Sequence, residues 1–250
     1  MKVSASIVTF KTPKEQLIRL LQALHVDNIV LDNSPFDTLG KVCAKFHKTT
    51  YLHLGKNIGF GAGHNRAVEH LASKGLLGEF HLILNPDITL FENTVEILAH
   101  YLSLHSDVGL VAPKLLNPDG TLQPQCRQLP TPLDMIARRV LRGEALKRFN
   151  FNHEMQYMDY EKSFEAPFIQ ASCWMVRSQA YKQIGGFDER FFLYMEDVDF
   201  CRRMAKIAKI VYYPQAQATH EWGRGSQKSL RYFVLHVKSA LQYFLKHTMR

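Results

Sequence analysis

Over the first 113 residues, short apolar blocks alternate with polar stretches that carry a helical period. Residues 3–10 (VSASIVTF), 28–31 (NIVL), 50–54, 80–84 (FHLIL) and 108–112 each read as a short strand buried in a sheet. Between them, Leu17, Leu20, Leu21 and Leu24 fall on one helical face after Pro13, residues 66–74 form a second helix, and 92–104 a third, amphipathic one. Strand and helix in alternation predict an α/β fold, with a mostly parallel sheet covered on both faces. After Pro113 the pattern changes. Residues 117–132, rich in Pro, Gln and Asn, read as a long loop, and Arg138, Arg139, Arg142, Lys147 and Arg148 as a basic helix or lid. A β-segment follows at 166–177, a helix at 191–208, a strand at 210–213 and a helix at 229–246. No repeat or low-complexity linker divides the chain, so one domain spanning 1–250 is expected.

Composition narrows this little. Apolar residues make up 46% of the 250 and charged residues 22%, which excludes an intrinsically disordered chain. Lys and Arg exceed Asp and Glu by 31 to 23, a formal +8 that suits anionic partners: nucleotides, phosphorylated lipids or an acidic membrane surface. A nucleic-acid role would rest on that charge alone, since no aromatic and basic platform accompanies it, and none is expected. Cys43, Cys126, Cys173 and Cys201 form no CxxC pair, which argues against a zinc knuckle and for a reducing compartment. No apolar run approaches a membrane span, and Met1-Lys2-Val3 leads straight into a strand, so a cytoplasmic protein is expected.

Candidate chemistry gathers at strand ends, where open α/β sheets bind ligands. Asp32 follows the second strand and Asp87 the fourth, behind an Asn85-Pro86 turn; His220 follows the strand near Tyr213. A carboxylate and an imidazole converging there would suit Mg2+ or Mn2+. Taken singly, Asp87 reads as readily as an Asx turn and His220 as an ordinary histidine. Glu196, Asp197 and Asp199 put three carboxylates within four residues behind an aromatic run. A helix start and a pair with Arg202 or Arg203 explain one or two of them, and a general base is the reading for another. The glycines of 59–63 could cradle a phosphate. As a dinucleotide fingerprint they fail, because position 64 is His and the loop follows the third strand.

In order, VLDNSP, NIGFGAGHN, LNPD, GGFDERFFLYMEDVDFCRR and H-x-x-G-x-G-S run from the second strand to Ser226. Each is weak alone, but their joint order resembles the family 2 glycosyltransferases of GT-A fold, in particular the bacterial rhamnosyltransferase-like branch. The resemblance implies a nucleotide-binding half (1–113), an acceptor-binding half (114–227) and a basic amphipathic C-terminal helix (228–250). It implies an inverting, metal-dependent transfer of a sugar, rhamnose foremost, from a dTDP- or UDP-sugar to a surface glycan or lipid-linked glycan. On it, Asp197 is the catalytic base and Glu196 its support. Thr9, Asp32, Asn57, Gly59, Asn65, Asn85, Asp87, Arg224 and Ser226 contact the donor nucleotide. Asp87 and His220 hold the divalent cation. Asn85 stands where the family's motif begins with an acid, which leaves one anionic ligand fewer and gives a non-catalytic nucleotide- or glycan-binding subunit its best support. A nucleotidyltransferase, the enzyme rival, would want a basic Gly-rich loop after the first strand, and this chain has none.

Residues 228–250 hold basic residues and no acid, and their apolar residues recur at helical spacing. Packing on the domain is one reading of this helix. Peripheral contact with the inner face of a membrane is the other.

Overall fold

The structure, a computed structural model, describes residues 1–221 and 230–248. In chain order the elements are β1 (Val3–Thr9), α1 (Lys14–Ala23), β2 (Asp27–Asp32), a one-turn α2 (Gly40–Cys43), β3 (Thr49–His53), α3 (Phe60–Ser73), β4 (Phe80–Leu84), β5 (Ile88–Leu90), α4 (Thr94–Leu104) and β6 (Val108–Leu116). There follow β7 (Cys126–Arg127), α5 (Pro132–Val140), α6 (Gly143–His153), β8 (Phe164–Glu165), β9 (Phe168–Ile169), β10 (Cys173–Arg177), α7 (Ser178–Gln183), α8 (Glu196–Met204), β11 (Lys209–His220) and α9 (Leu230–Thr248).

Among the described residues the main sheet runs β3-β2-β1-β4-β10-β6-β11-β5, with β8 on β11. The first four strands are parallel, as expected; β10 enters antiparallel between β4 and β6, and β11 returns parallel to β6. Both faces are covered. Leu17, Leu20 and Leu21 of α1 and Leu98 and Leu102 of α4 pack with Ala5, Ile7, Leu82 and Leu84 on one face. On the other, Trp174, Phe187, Phe200 and Tyr212 form an aromatic core.

Three sequence expectations change. The helix after the glycine-rich stretch begins at Phe60, because glycines 61 and 63 lie inside it. A Cβ at Gly61 would meet Phe187 at 2.8 Å and one at Gly63 would meet Val8 at 2.9 Å, so these glycines let α3 lie close to its neighbours. The helix expected over 191–208 starts only at Glu196, since Tyr194 and Met195 both take left-handed backbone (φ 69° and 67°). The strand expected over 210–213 continues to His220, past Pro214, which falls within a register shift against β6.

β1 is apolar on one face only. Ser4 and Ser6 point toward α3, where the Ser6 hydroxyl lies 2.7 Å from His64 Nδ1 and 2.8 Å from His81 Nε2, and Ser4 lies 2.8 Å from His81 Nδ1. Both imidazoles are buried, and burial pushes His81 down to about 3 and His64 well below its ordinary value. A histidine with a depressed folded pKa is neutral in the native state and takes up its proton on unfolding. Stability is therefore full above the unfolded pKa of about 6.5 and falls as pH drops from there toward 3, by about 1.4 kcal/mol per pH unit for each such group. Urea unfolding should thus show a loss of roughly 2 kcal/mol per histidine between pH 7 and pH 5. His81→Asn, which keeps a polar atom near the Nδ1 position, should flatten that dependence; an equally steep slope in the variant would count against the assignment.

Candidate active site

The chain between β9 and β10 is the frame of the site. Asn85 N–H donates to Ser172 C=O at 2.8 Å, which seats the Asn85-Pro86-Asp87 turn at the end of β4. One residue earlier, Ala171 N–H donates to Asp197 Oδ2 at 3.4 Å. On the other side, Glu221 N–H donates to Asp87 C=O at 3.0 Å, and His220 pairs with Ile88 across β11 and β5. Asp87, His220 and Asp197, separated by up to 133 positions in the chain, are thereby held around one strip of backbone.

Among the described residues Asp87 Oδ1 is buried with no hydrogen-bond partner, and it faces His220 Nε2 at 3.4 Å. The other ring nitrogen, Nδ1, lies 2.7 Å from Gln123 Oε1. The Gln123 amide is oriented in turn, since its Nε2 donates to Asn117 Oδ1 at 2.9 Å. A carbonyl oxygen can only accept, so Nδ1 carries the proton, and in a neutral ring the Nε2 lone pair then faces Asp87. Two lone-pair-bearing atoms facing each other at this distance are what a cation between them would relieve. This is the second-shell pattern in which a ligand histidine donates its far N–H to an oxygen. Among the described residues no group of three metal-ligating side chains comes together. The chain thus offers one carboxylate and one imidazole, and Mg2+ or Mn2+ in such sites draws its remaining ligands from water and substrate phosphates. The residues fit such an ion.

Glu196 and Asp197 open α8. The two left-handed residues before them, neither of them glycine, cost of order 1–3 kcal/mol each, and such strain concentrates at functional sites. Glu196 is buried with Oε2 unpartnered, and burial together with the Asp197 charge raises its carboxyl well above the usual range. Asp197 is also raised by burial, against the N–H bonds from Ala171 and Val198, the latter 2.9 Å to Oδ1. Asp197 stays partly exposed. It opens on a cleft of about 490 Å³ lined also by Arg127, His153, Gln170 and Tyr194. The third acid, Asp199, is structural. It is buried under Arg203 at 2.7 Å, His247 at 2.8 Å and Lys246 at 2.5 Å, which pin the end of α9 to α8.

Several of the residues expected to contact the donor also make hydrogen bonds within the fold. Thr9 and Asp32 are 0% exposed; Thr9 Oγ1 donates to Asp32 Oδ1 at 3.1 Å, Ser34 N–H to the same oxygen at 2.9 Å, and Tyr51 OH to Oδ2 at 2.9 Å. Thr9 and Asp32 lie at the ends of β1 and β2, and Phe10, Lys11, Phe36 and Lys56 in the segments that follow β1, β2 and β3 are exposed. At Gly59 φ is 96° and a Cβ would meet Phe192 C=O at 2.4 Å, so the glycine admits the chain leading to α8. Asn57 is exposed and caps Gly59 N–H at 2.9 Å. Asn65 is fully engaged away from the cleft, accepting from Tyr181 OH and Phe187 N–H and donating to Phe187 C=O and Glu189. Arg224 and Ser226 lie outside the described residues, as do the side chains of Arg138 and Arg139. Sequence reasoning missed Gln123, Arg127 and Gln170. For the first two the signal was the glutamine-rich 117–132 stretch, which lacks periodicity, and Gln170 lay inside the expected 166–177 β-segment.

No family model matches the chain. It is 30% identical over 225 residues to the N-acetylglucosaminyl-diphospho-decaprenol L-rhamnosyltransferase of Mycobacterium tuberculosis, covering 84% of this chain and 73% of that protein. The chain belongs to the family 2 glycosyltransferases. This glycosyltransferase is also 25% identical over 246 residues to the rhamnosyltransferase WbbL of Escherichia coli K12, covering 93% of this chain and 89% of that one. Its fold is that of a mannosyltransferase from Pyrobaculum calidifontis solved with GDP-Man and Mn2+ (TM-score 0.65, 13% identity, covering 100% of this chain and 64% of that one). The glycosyltransferase has the GT-A architecture that its motifs implied, with a C-terminal helix. Among the described residues no helix is long and apolar enough to cross a membrane.

Proposed function

We propose that this glycosyltransferase is an inverting, divalent-metal-dependent rhamnosyltransferase that acts from a dTDP- or UDP-linked donor on a lipid-linked glycan. The observation that carries the reading is an Asp87 oxygen with no hydrogen bond among the described residues, facing a His220 whose Nδ1 is held by Gln123, next to the Ala171-Ser172 backbone that also bonds Asp197. Asp87 and His220 would hold the cation, which when bound offsets the negative charge gathering on the leaving diphosphate. Asp197 accepts the proton of the acceptor hydroxyl as its oxygen bonds to the anomeric carbon. The bond from that carbon to the diphosphate oxygen breaks in the same displacement, so the configuration inverts. Burial and the Asp197 charge raise the Glu196 carboxyl, which disfavours a second negative charge beside the base. The rhamnosyl donor and the lipid-linked acceptor are carried from the names of the mycobacterial and Escherichia coli relatives.

Calorimetric titration of UDP, dTDP, GDP and CDP, with and without Mn2+ or Mg2+, tests this. One nucleotide should bind tightly and only with metal, and its rhamnosyl derivative should turn over with inversion at the anomeric carbon. Equal binding with and without metal, or none to any nucleotide, would overturn the reading.

A further inference from the structure

Beside the catalytic cleft lies a second, larger hollow. A groove of about 870 Å³ runs between α5 and α9, lined by Met135, Ile136 and Val140 on one side and Val237, Leu241 and Phe244 on the other. That volume is in the range of small-molecule sites, roughly 300–1,000 Å³. Both helices are held in place by features that leave their apolar faces uncovered. At the start of α5, Thr131 and Asp134 form a reciprocal capping box; Leu133, Ile136 and Val140, spaced for one face, are exposed. Along α9, Ala240 and Tyr243 are buried against the body, Ser239 OH donates to Leu193 C=O, and Lys246 and His247 meet Asp199. On its other side Val234, Val237, Leu241 and Leu245 are exposed, again at single-face spacing. The helix thus has one packed face and one exposed apolar face. Contiguous exposed apolar surface of this kind marks a binding site.

Polarity along the path identifies the occupant. Met135 and His236 line both the groove and the cleft of Asp197, so the two hollows adjoin. The groove lining is mostly aliphatic and aromatic with Arg142 among it, while the cleft lining holds His153, the Glu196-Asp197 pair and Arg127, whose guanidinium also meets Glu154 at 2.7 Å. An apolar hollow adjoining one that holds cationic side chains and a carboxylate suits an apolar chain joined through a diphosphate to a sugar hydroxyl. A second protein copy or a flat membrane contact gives no reason for the groove to continue into the catalytic cleft.

We propose that the groove between α5 and α9 seats the apolar tail of a lipid-diphosphate acceptor, with its diphosphate toward Arg142 and Arg127 and its sugar at Asp197. This rests on the lipid-linked acceptor of the proposed function and assigns residues to it.

Binding of farnesyl diphosphate to the full chain, by equilibrium dialysis beside inorganic diphosphate, tests the assignment. Ile136→Asp with Leu241→Asp places two carboxylates on the groove wall. Both residues are more than half exposed (60% and 59%), so the variant should fold and bind its donor nucleotide as before. The expected result is saturable binding of farnesyl diphosphate that is at least tenfold weaker in the variant, and much weaker binding of inorganic diphosphate to both proteins. Binding unaffected by the double substitution, or matched by inorganic diphosphate, overturns the proposal. So does retention on anionic lipid vesicles, or dimerisation, that the substitutions abolish while farnesyl diphosphate does not bind. Nucleotide titration of the same samples separates the two readings: a groove that binds the lipid in a protein that binds no nucleotide would leave the tail site standing and sink the transferase reading.

Discussion

Asp197→Asn should lower kcat by about 10²–10⁴-fold, the range spanned by loss of a positioned general base, while the donor nucleotide binds within about twofold of its normal affinity. The substitution keeps the shape of the side chain and one carbonyl oxygen for the Val198 N–H, which bonds Oδ1 at 2.9 Å. It removes the lone pair and negative charge that receive the acceptor proton. The pH profile gives a second readout. The base works only when ionised, and burial raises Asp197, so the acid limb of the wild-type profile should lie above the ordinary Asp value of about 3.9, with rate lost as pH falls through it. Glu196→Gln discriminates between the two acids. Burial and the Asp197 charge raise Glu196 well above its usual range and so favour its neutral form, and an amide of the same shape should leave most of the rate and the acid limb in place. A dead Glu196→Gln beside an active Asp197→Asn would exchange their roles.

How much of this the sequence shows depends on which kind of force builds each part. The strands at β1, β2 and β4 were legible because their burial leaves a local apolar run, and parallel pairing follows from the helices between them. Gly59, Gly61 and Gly63 were legible as a special stretch but not in purpose. A glycine signals that something comes close, and here it is Phe192, Phe187 and Val8, from strands and loops up to 133 positions away. Asp32 illustrates the same limit. Its place at a strand end was correct, yet Thr9, Ser34 and Tyr51 consume its oxygens, and hydrogen-bond satisfaction across three strands has no sequence period. Asp87, His220 and Asp197 were found through the order of motifs, whereas their juxtaposition is made by the backbone of 171–172. That segment was expected to lie within one continuous strand and is instead the break between β9 and β10.

Asp87→Ala should weaken metal-dependent binding of the donor nucleotide at least tenfold, and binding measured without metal should be unchanged. Of the two side chains suited to the ion, Asp87 supplies the anionic one, and Asn85 adds no charge beside it. The remaining affinity would come from His220 and the diphosphate itself, so a large share of the coupling between ion and nucleotide rests on this carboxylate. Gln123 extends the test to a residue that would touch neither. Gln123→Leu removes the acceptor that holds the proton on His220 Nδ1 and frees the ring to take the other tautomer, in which Nε2 is an N–H donor to Asp87 and no longer a ligand. Loss of an outer-shell partner of this kind typically costs about 10–100-fold in metal affinity. Gln123→Glu keeps an acceptor at the same reach and should restore much of it. Mn2+ titrated into the protein with saturating nucleotide reads these effects without turnover. Equal Mn2+ affinity in wild type, Asp87→Ala and Gln123→Leu would mean that the ion is held by the nucleotide alone, and the buried, unpartnered oxygen of Asp87 would then be left without a chemical reason.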